Sequence, residues 1–262
     1  MATFDLDGYL RRIGFAGTPR PDLATLAALH RAHAASIPFE NLDIQMGRPV
    51  SLDPDVLQAK IVGQRRGGYC FEQNTLFALA LDSIGFAAHR CEARVRQQTS
   101  GAILPRTHMV LRVLVEERPW LADVGFGGDG LIEPIAFDAA PARQLGVDYR
   151  TAREGQLAVL QRRTAGDWED LYAVLPEPVY PIDFEVGNWF TSTHPRSPFV
   201  LNLTAQRMAG GARHILRNLT YTVVDQGGRQ TRDIARDELP ALLRDVFGLD
   251  VPAAAKFRAL DD

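Results

Sequence analysis

Cysteine is scarce. Cys70 and Cys91 are the only two in 262 residues, which argues against a disulfide framework and for a reducing, cytoplasmic setting. No Cys-x-x-Cys, no His-Glu-x-x-His and no paired-cysteine spacing occurs, so no metal site is expected. Long apolar runs are missing too: no window approaches eighteen consecutive apolar residues, which excludes a helical membrane span. Residues 1–15 carry Asp5, Asp7, Arg11 and Arg12 and lack the uninterrupted apolar region of a signal peptide. An excess of one charge is also absent. With 29 basic against 32 acidic residues and a net charge of -3, the chain offers no footprint for nucleic acid. Arg65-Arg66 and Arg162-Arg163 are the densest basic spots, and such pairs are ordinary solvated or ion-paired surface. Neither an internal repeat nor a low-complexity tract occurs.

What is present is the composition of a soluble globular protein with a sizeable core, 46% hydrophobic and 23% charged. The length suits one large domain or two to three small ones packed together. Residues 1–90 read as mostly helical. Leu23, Leu26, Ala27, Leu29 and His30 recur at helical spacing within 22–35, with Pro21-Asp22 as a start and Pro38 as a stop. Asp53-Pro54 opens another helix through Val62. Gly63, Gly67 and Gly68 then punctuate the chain before a third helix that runs out near Gly85. From about residue 90 the texture turns to strand. Residues 108–115 are rich in β-branched side chains, 116–119 form a turn, 120–124 the returning strand, and 125–130 a glycine-dense loop. Short strands over 157–162 and 168–174 suggest a small barrel or curled sheet. Beyond the proline-rich stretch 176–181, residues 184–199 read as helix then loop. A last hairpin spans 214–224, returns after Gly227-Gly228, and leads into a closing helix over 237–247.

Arg66-Gly67-Gly68-Tyr69-Cys70-Phe71-Glu72-Gln73-Asn74 is the most informative stretch. Its two glycines deliver a cysteine to a helix start and permit a sharp turn and close approach by another molecule. There the thiol meets unpaired N–H groups and the positive end of the helix dipole, surroundings suited to a nucleophile. The alternative is a buried, inert thiol, because free cysteine is among the most buried residue types.

A cysteine nucleophile needs a base, and the base needs an orienting acceptor. Of the six histidines, His30 and His33 lie in an amphipathic helix and read as packed or solvated. His194 precedes a proline in a turn, His214 sits beside Arg213, and His89 follows the cysteine helix too closely to face its start. His108 remains, opening an apolar strand just after a loop, where catalytic groups are commonly presented. Asp123 is the distinctive acid, because it lies in the apolar run 120–124, where a carboxylate is costly unless paired. Arg112 is one partner to weigh. A hairpin turning at Glu117-Arg118 sets Asp123 opposite Arg112, and His108 then lies four residues, roughly 13 Å, further along. Strand geometry alone therefore delivers no contact between His108 and Asp123.

Taken in order, the motifs resemble those of the arylamine N-acetyltransferase family. They are Pro38-Phe39-Glu40-Asn41-Leu42, Arg66-Gly67-Gly68-Tyr69-Cys70, a histidine at a strand start (His108), and Asp123-Val124-Gly125-Phe126-Gly127. Asn188-Trp189-Phe190 through His194-Pro195-Arg196-Ser197-Pro198-Phe199 is similar to the bacterial members. The matches span residues 38–199; beyond Phe199 the chain fits in length and pattern but carries no sharp motif. The resemblance implies an α+β fold in three parts: an N-terminal helical bundle with the cysteine (1–90), a central β-barrel with the histidine and aspartate (91–195), and a C-terminal α/β lid (196–262). The first two parts would share the arrangement of papain-like and transglutaminase-like cysteine enzymes. The resemblance further implies a triad of Cys70, His108 and Asp123, with acetyl-coenzyme A as acyl-donor substrate and no permanently bound cofactor. An acetyl-cysteine thioester would pass its acetyl group to an arylamine, arylhydrazine or N-hydroxyarylamine. Backbone N–H groups near Cys70 and Phe71 are candidates to stabilise the oxyanion. Thr107, Gly127 and Phe199 are expected beside coenzyme A, and Phe39 and Phe126 beside the aromatic acceptor.

Several of these residues have quieter explanations. Phe126 suits a stacked aromatic ring and equally suits barrel packing. Gly127 and Gly128 suit the approach of phosphates and equally a tight turn. Glu40 and Arg66 read as a buried structural pair supporting the cysteine turn, and Cys91 as inert packing at the helix-to-barrel junction. The same triad serves hydrolysis as well as transfer. The rival readings are thus a cysteine hydrolase or transglutaminase-like enzyme, an amide synthase on a larger aromatic precursor, and a non-enzymatic coenzyme A or aromatic-ligand module. A water-poor acceptor pocket built with Phe39 and Phe126 would favour transfer.

Overall fold

The structure, a computed structural model, describes every residue except 1–3, 100, 165, 176, 178, 226, 253, 254 and 262. Helix α1 (Leu6–Ile13) starts where the Asp5 carboxylate accepts the Gly8 N–H at 2.8 Å, and ends at Gly14 in the left-handed conformation. Helix α2 (Leu23–Ser36) starts the same way, with Asp22 accepting from Thr25. It stops because Pro38 holds the residue before it in an extended conformation. Strand β1 (Phe39–Glu40) and the single turn α3 (Leu42–Gln45) follow. The helix opened by Asp53-Pro54 is irregular: α4 (Pro54–Leu57) widens into a π-helical turn over Gln58–Gly63 instead of continuing as regular helix. Helix α5 (Cys70–Ile84) is central and is closed by Gly85 at φ 100°. Leu76, Phe77, Ala80 and Leu81 of α5 share one core with Tyr9, Leu26 and Leu29 of the first two helices.

Eight antiparallel strands come next: β2 (Ala87–Val95), β3 (His108–Val115), β4 (Arg118–Ala122), β5 (Ile135–Ala136), β6 (Ala142–Gln144), β7 (Val147–Glu154), β8 (Leu157–Thr164) and β9 (Asp167–Val174). Their spatial order is β5-β4-β3-β2-β9-β8-β7-β6. The sheet curls until β5 nears β7, giving an almost closed barrel filled by Cys91, Val110, Leu121, Leu160, Leu171 and Tyr172. Strands β2 and β7 were not expected from apolar runs, because they interleave charged with small or aromatic residues and bury only part of their length. Met109, Leu111 and Val113 point out of the barrel into the core built around α5.

Of the proline-rich stretch, Pro176 and Pro178 lie outside the described residues. Helices α6 (Pro181–Thr193) and α7 (Pro198–Leu201) lead into a second sheet of β10 (Thr204–Ala209), β11 (Ala212–Arg217), β12 (Thr220–Asp225) and β13 (Gly228–Asp233), flanked by α8 (Leu239–Phe247) and α9 (Arg258–Asp261). Here the expected final hairpin is corrected. Asn218, at φ 53°, accepts the Leu203 N–H and with Leu219 makes a two-residue turn, so the run 214–224 folds into two strands with Arg217 opposite Thr220. Strand β1 closes the edge of this sheet, with Phe39 opposite Gln206 and Glu40 opposite Ala205. The fold is α+β: helices around α5, a nearly closed barrel, and a C-terminal sheet with its helices. No helix among the described residues is long and apolar enough to cross a membrane.

Candidate active site

Cys70 is the first residue of α5. It is 3% exposed, and its thiol lies 3.7 Å from the Thr107 carbonyl oxygen. The glycines before it do not leave room for a bound molecule, contrary to expectation. A Cβ on Gly67 would lie 2.0 Å from the Pro38 carbonyl oxygen, and one on Gly68 2.8 Å from the Glu72 carboxylate. Both glycines let the turn press against the protein itself. The Glu40 N–H donates to the Gly68 carbonyl at 3.0 Å, and Gln73 Nε2 donates to the same oxygen at 2.7 Å.

Beneath this turn lies an ion cluster larger than the Glu40–Arg66 pair. Glu40 accepts from Arg66 Nε at 3.0 Å and, through its other oxygen, from the Leu42 N–H at 2.7 Å. Asp43 is 2.6 Å from Lys60 Nζ, which is also 2.6 Å from Glu72; Glu72 in turn accepts the Tyr69 N–H at 3.1 Å. Three carboxylates thus share Lys60 and Arg66, and the more exposed Arg48 lies 3.7 Å from Asp43. Burial opposes the charge on Lys60, yet Glu72, Glu40 and Asp43 raise its pKa well above the ordinary lysine value.

His108 opens β3, and the hairpin register brings Asp123 to it. The turn is formed by Glu116 and Glu117, both at positive φ, between the paired residues Val115 and Arg118. Leu111 therefore faces Ala122, and the next residue, Asp123, comes level with Val110 and not with Arg112. That makes Asp123 and His108 diagonal neighbours, a separation side chains can bridge. His108 Nε2 meets Asp123 Oδ2 at 2.7 Å. The partner of Asp123 is this histidine, not Arg112.

The carboxylate is held on every side. Oδ1 accepts from Asn74 Nδ2 and from the Gly125 N–H, each at 2.9 Å. Asn74 Oδ1 accepts the Val124 N–H at 3.1 Å, and the Asp123 N–H donates to His30 Nε2 at 3.1 Å. A Cβ on Gly125 would lie 2.8 Å from the Cys70 Cα, so only glycine lets this loop touch the helix start. Burial disfavours charge on both partners, but the pair prevails. The Asp123 carboxylate and the adjoining Cys70 push the His108 ring up to about 10, while His108, Asn74 and Gly125 hold Asp123 below the usual carboxylate range. With Nε2 engaged by Asp123, Nδ1 is the ring nitrogen left free, and Cys70 lies close enough to the ring to help raise it. Phe126 and Tyr172 flank the imidazole at centroid distances of 5.2 and 4.9 Å.

Cys70 and His108 line a cleft of about 1000 Å3. Thr107, Phe199, Phe39 and Phe126 border it as well, together with Phe190, Arg196, and a polar face of β11–β13 that includes Arg217, Thr220, Thr222 and Arg229. Gly127 is not part of this lining: it borders a separate recess of about 40 Å3 and packs against Gln206, whereas Gly128 borders both. Cys91 is buried in the barrel, where burial pushes its thiol up to about 11, in keeping with packing. Reasoning from sequence missed Asn74, Tyr172, the hydrogen bond of His30, and the three cleft arginines. Only Asn74 carried a signal, its place one helical turn after Cys70.

The N-acetyltransferase family profile matches residues 22–256. The arylamine N-acetyltransferase of Mycolicibacterium smegmatis is 44% identical over 255 residues, covering 94% of this chain and 92% of that relative. Among solved structures, the arylamine N-acetyltransferase of Salmonella typhimurium superposes with a TM-score of 0.90 at 35% identity, over 97% of this chain and 94% of that one. The Mycobacterium marinum arylamine N-acetyltransferase in complex with CoA gives 0.88 at 35% identity, over 93% and 92%. On sequence and fold alike, this chain belongs to the arylamine N-acetyltransferase family.

Proposed function

We propose that this protein is an acetyl-coenzyme A-dependent N-acetyltransferase that works by a ping-pong route and delivers acetyl to arylamines, arylhydrazines or N-hydroxyarylamines. One observation carries the reading. The 2.7 Å bond from His108 Nε2 to Asp123 Oδ2 leaves Nδ1 free on a cleft of about 1000 Å3 that Cys70 and His108 both line, and the Mycobacterium marinum relative is solved in complex with CoA.

In the first half-reaction Cys70 reacts as the thiolate, its proton resting on His108 Nδ1, and attacks the acetyl carbonyl carbon. The N–H groups of Cys70 and Phe71, at a helix start where such donors lack intrahelical partners, stabilise the oxyanion. The bond to the coenzyme A sulfur then breaks, that sulfur takes the proton from His108, and Cys70 keeps the acetyl group as a thioester. In the second half-reaction the acceptor nitrogen attacks the thioester and gives its proton to His108, and Cys70 leaves. Asp123 orients the ring and stabilises its cationic form throughout. Phe39 and Phe126 offer flat faces to the acceptor. Thr107 and Phe199 border the donor path, and Arg196, Arg217 and Arg229 supply charge for its phosphates. The work divides over 1–90 with the nucleophile, 91–195 with histidine and aspartate, and 196–262 as the lid. Both thiols are free, which fits a cytoplasmic enzyme.

Mass spectrometry after treatment with acetyl-coenzyme A tests the scheme. One acetyl adduct on Cys70, absent from Cys70→Ala, is expected. An adduct on Cys91, or near-wild-type turnover by Cys70→Ala, removes Cys70 from the mechanism. Rapid, sustained release of coenzyme A without any amine makes the protein a hydrolase.

A further inference from the structure

We infer that His30 is a positioning residue for acetyl transfer: its Nε2 fixes the backbone of Asp123 and, through it, the carboxylate that orients His108. The inference rests on reading Cys70, His108 and Asp123 as a triad.

Strand β4 ends at Ala122, so the next three N–H groups have no place in the ladder. Each is satisfied by a side chain from a different source. His30 of α2 takes the Asp123 N–H, Asn74 of α5 takes the Val124 N–H, and the Asp123 carboxylate takes the Gly125 N–H. The loop that aims Asp123 is therefore shaped by acceptors, and an unmet N–H there would be costly because the segment is buried. Packing alone does not call for a histidine. His30 has no exposed surface, and its ring meets Phe77 edge-on at 5.8 Å, a contact any apolar residue of that size would make.

Accepting at Nε2 requires a neutral ring with its hydrogen on Nδ1, a buried atom without a hydrogen-bond partner among the described residues, so the Asp123 bond is kept at the expense of an unmet donor on the ring. The titratable groups around it are Asp123, Glu133 and, on its own helix, His33; from α5 the apolar Phe77 packs against it. Burial outweighs the two carboxylates and lowers the His30 pKa to about 4, so the acceptor persists at neutral pH. His33, one turn later, hydrogen-bonds Gln73 Oε1 at 3.2 Å, and Gln73 Nε2 holds the Gly68 carbonyl before Cys70. Helix α2 thus braces both halves of the site: His30 secures the aspartate loop, and His33 the cysteine turn.

Two variants test the inference. His30→Gln keeps an acceptor, whereas His30→Met keeps the bulk and removes it. Single-turnover acetylation of Cys70, KM for acetyl-coenzyme A, and the pH profile of Cys70 alkylation by iodoacetamide are compared with wild type. In His30→Met acetylation should slow by about tenfold, as the loss of one buried hydrogen bond near the reacting groups implies. Its alkylation profile should move to higher pH, because a displaced Asp123 holds the His108 cation less firmly. KM should stay within about twofold, and His30→Gln should behave as wild type. A His30→Met protein that melts earlier but keeps its rate and alkylation profile would reduce His30 to packing, as would equal losses in both variants. Should neither variant fold, nitrogen NMR of the wild type decides. A hydrogen on Nδ1 supports the inference, and a hydrogen on Nε2 overturns it. Cys70→Ala, assayed alongside, separates the two levels: if it still acetylates amines, the triad reading fails whatever His30 does.

Discussion

Asn74 grips Asp123 and the residue after it, donating from Nδ2 to the Asp123 carboxylate at 2.9 Å and accepting the Val124 N–H at 3.1 Å. The same Nδ2 reaches the Met109 carbonyl at 2.7 Å, so one amide ties α5, β3 and the glycine loop together. Asn74→Asp preserves the size of the side chain and the acceptor for Val124. It also sets a second carboxylate against Asp123 where both are buried, so one of the two must take up a proton. The hold on the His108 cation weakens, and single-turnover acetylation of Cys70 should fall by about a hundredfold, the equivalent of two pK units. An Asn74→Asp enzyme acetylated at nearly the wild-type rate would show that Asp123 does not depend on this amide.

Two glycines at either end of the catalytic helix should respond differently to alanine. Gly85 has φ 100° with open space around it, so Gly85→Ala strains the backbone alone and should cost about 1–2 kcal/mol while leaving acetyl transfer intact. Gly67 has no such backbone requirement, but a Cβ there would lie 2.0 Å from the Pro38 oxygen. Relief means moving β1 away from the cysteine turn, so Gly67→Ala should lose both stability and activity. Urea unfolding and acetylation rates, run in parallel, check the contrast. Matching behaviour of the two variants would mean that the turn does not need its close seat on Pro38.

The parts legible in the sequence are those with local signals. Asp22 and Pro38 bracket α2, and Gly85 ends α5, because caps and stops act within a few residues. Cys70 at a helix start was readable for the same reason. The His108–Asp123 contact was not, since it depends on which two residues turn the hairpin. Glu116 and Glu117 are poor candidates for positive φ, and placing the turn one residue later moves the register by two. The cleft was hidden for another reason. Its walls join residues far apart in the chain, as when Phe39 pairs with Gln206, and strand β10 is too polar to stand out as an apolar run.

The ion cluster under the cysteine turn predicts a large and specific stability loss. Lys60 lies 2.6 Å from both Asp43 and Glu72, with side-chain exposures of 13%, 13% and 3% respectively. Lys60→Met leaves Glu72, already raised by burial, with no cation in contact. Removing one partner from a buried cluster of this kind costs about 3–5 kcal/mol, whereas Lys60→Arg keeps the charge and should cost less. Urea titration at neutral pH measures both. A loss below about 1 kcal/mol for Lys60→Met would place the cluster among solvated surface pairs.

Stability should also fall in mild acid, and two histidines set the window. His30 and His33 are wholly buried, and burial lowers them to about 4 and about 3. In the unfolded chain each titrates near 6.5, so between these values the unfolded chain binds protons that the folded protein refuses. Their contribution is therefore complete above about pH 6.5 and declines as the pH drops toward 4, by about 1.4 kcal/mol per unit for each ring. His108 runs the other way: raised to about 10, it adds stability that is complete below 6.5 and is lost as the pH climbs from there through 10, so it takes no part in the acid loss. Asp123 is lowered from 3.8, and its contribution fades below the histidine window. Unfolding free energies measured at pH 7, 6 and 5 should drop steeply, and His33→Gln, which can still bond Tyr9 and Gln73, should roughly halve the slope. A flat profile across that range would mean that the folded protein accepts the protons after all.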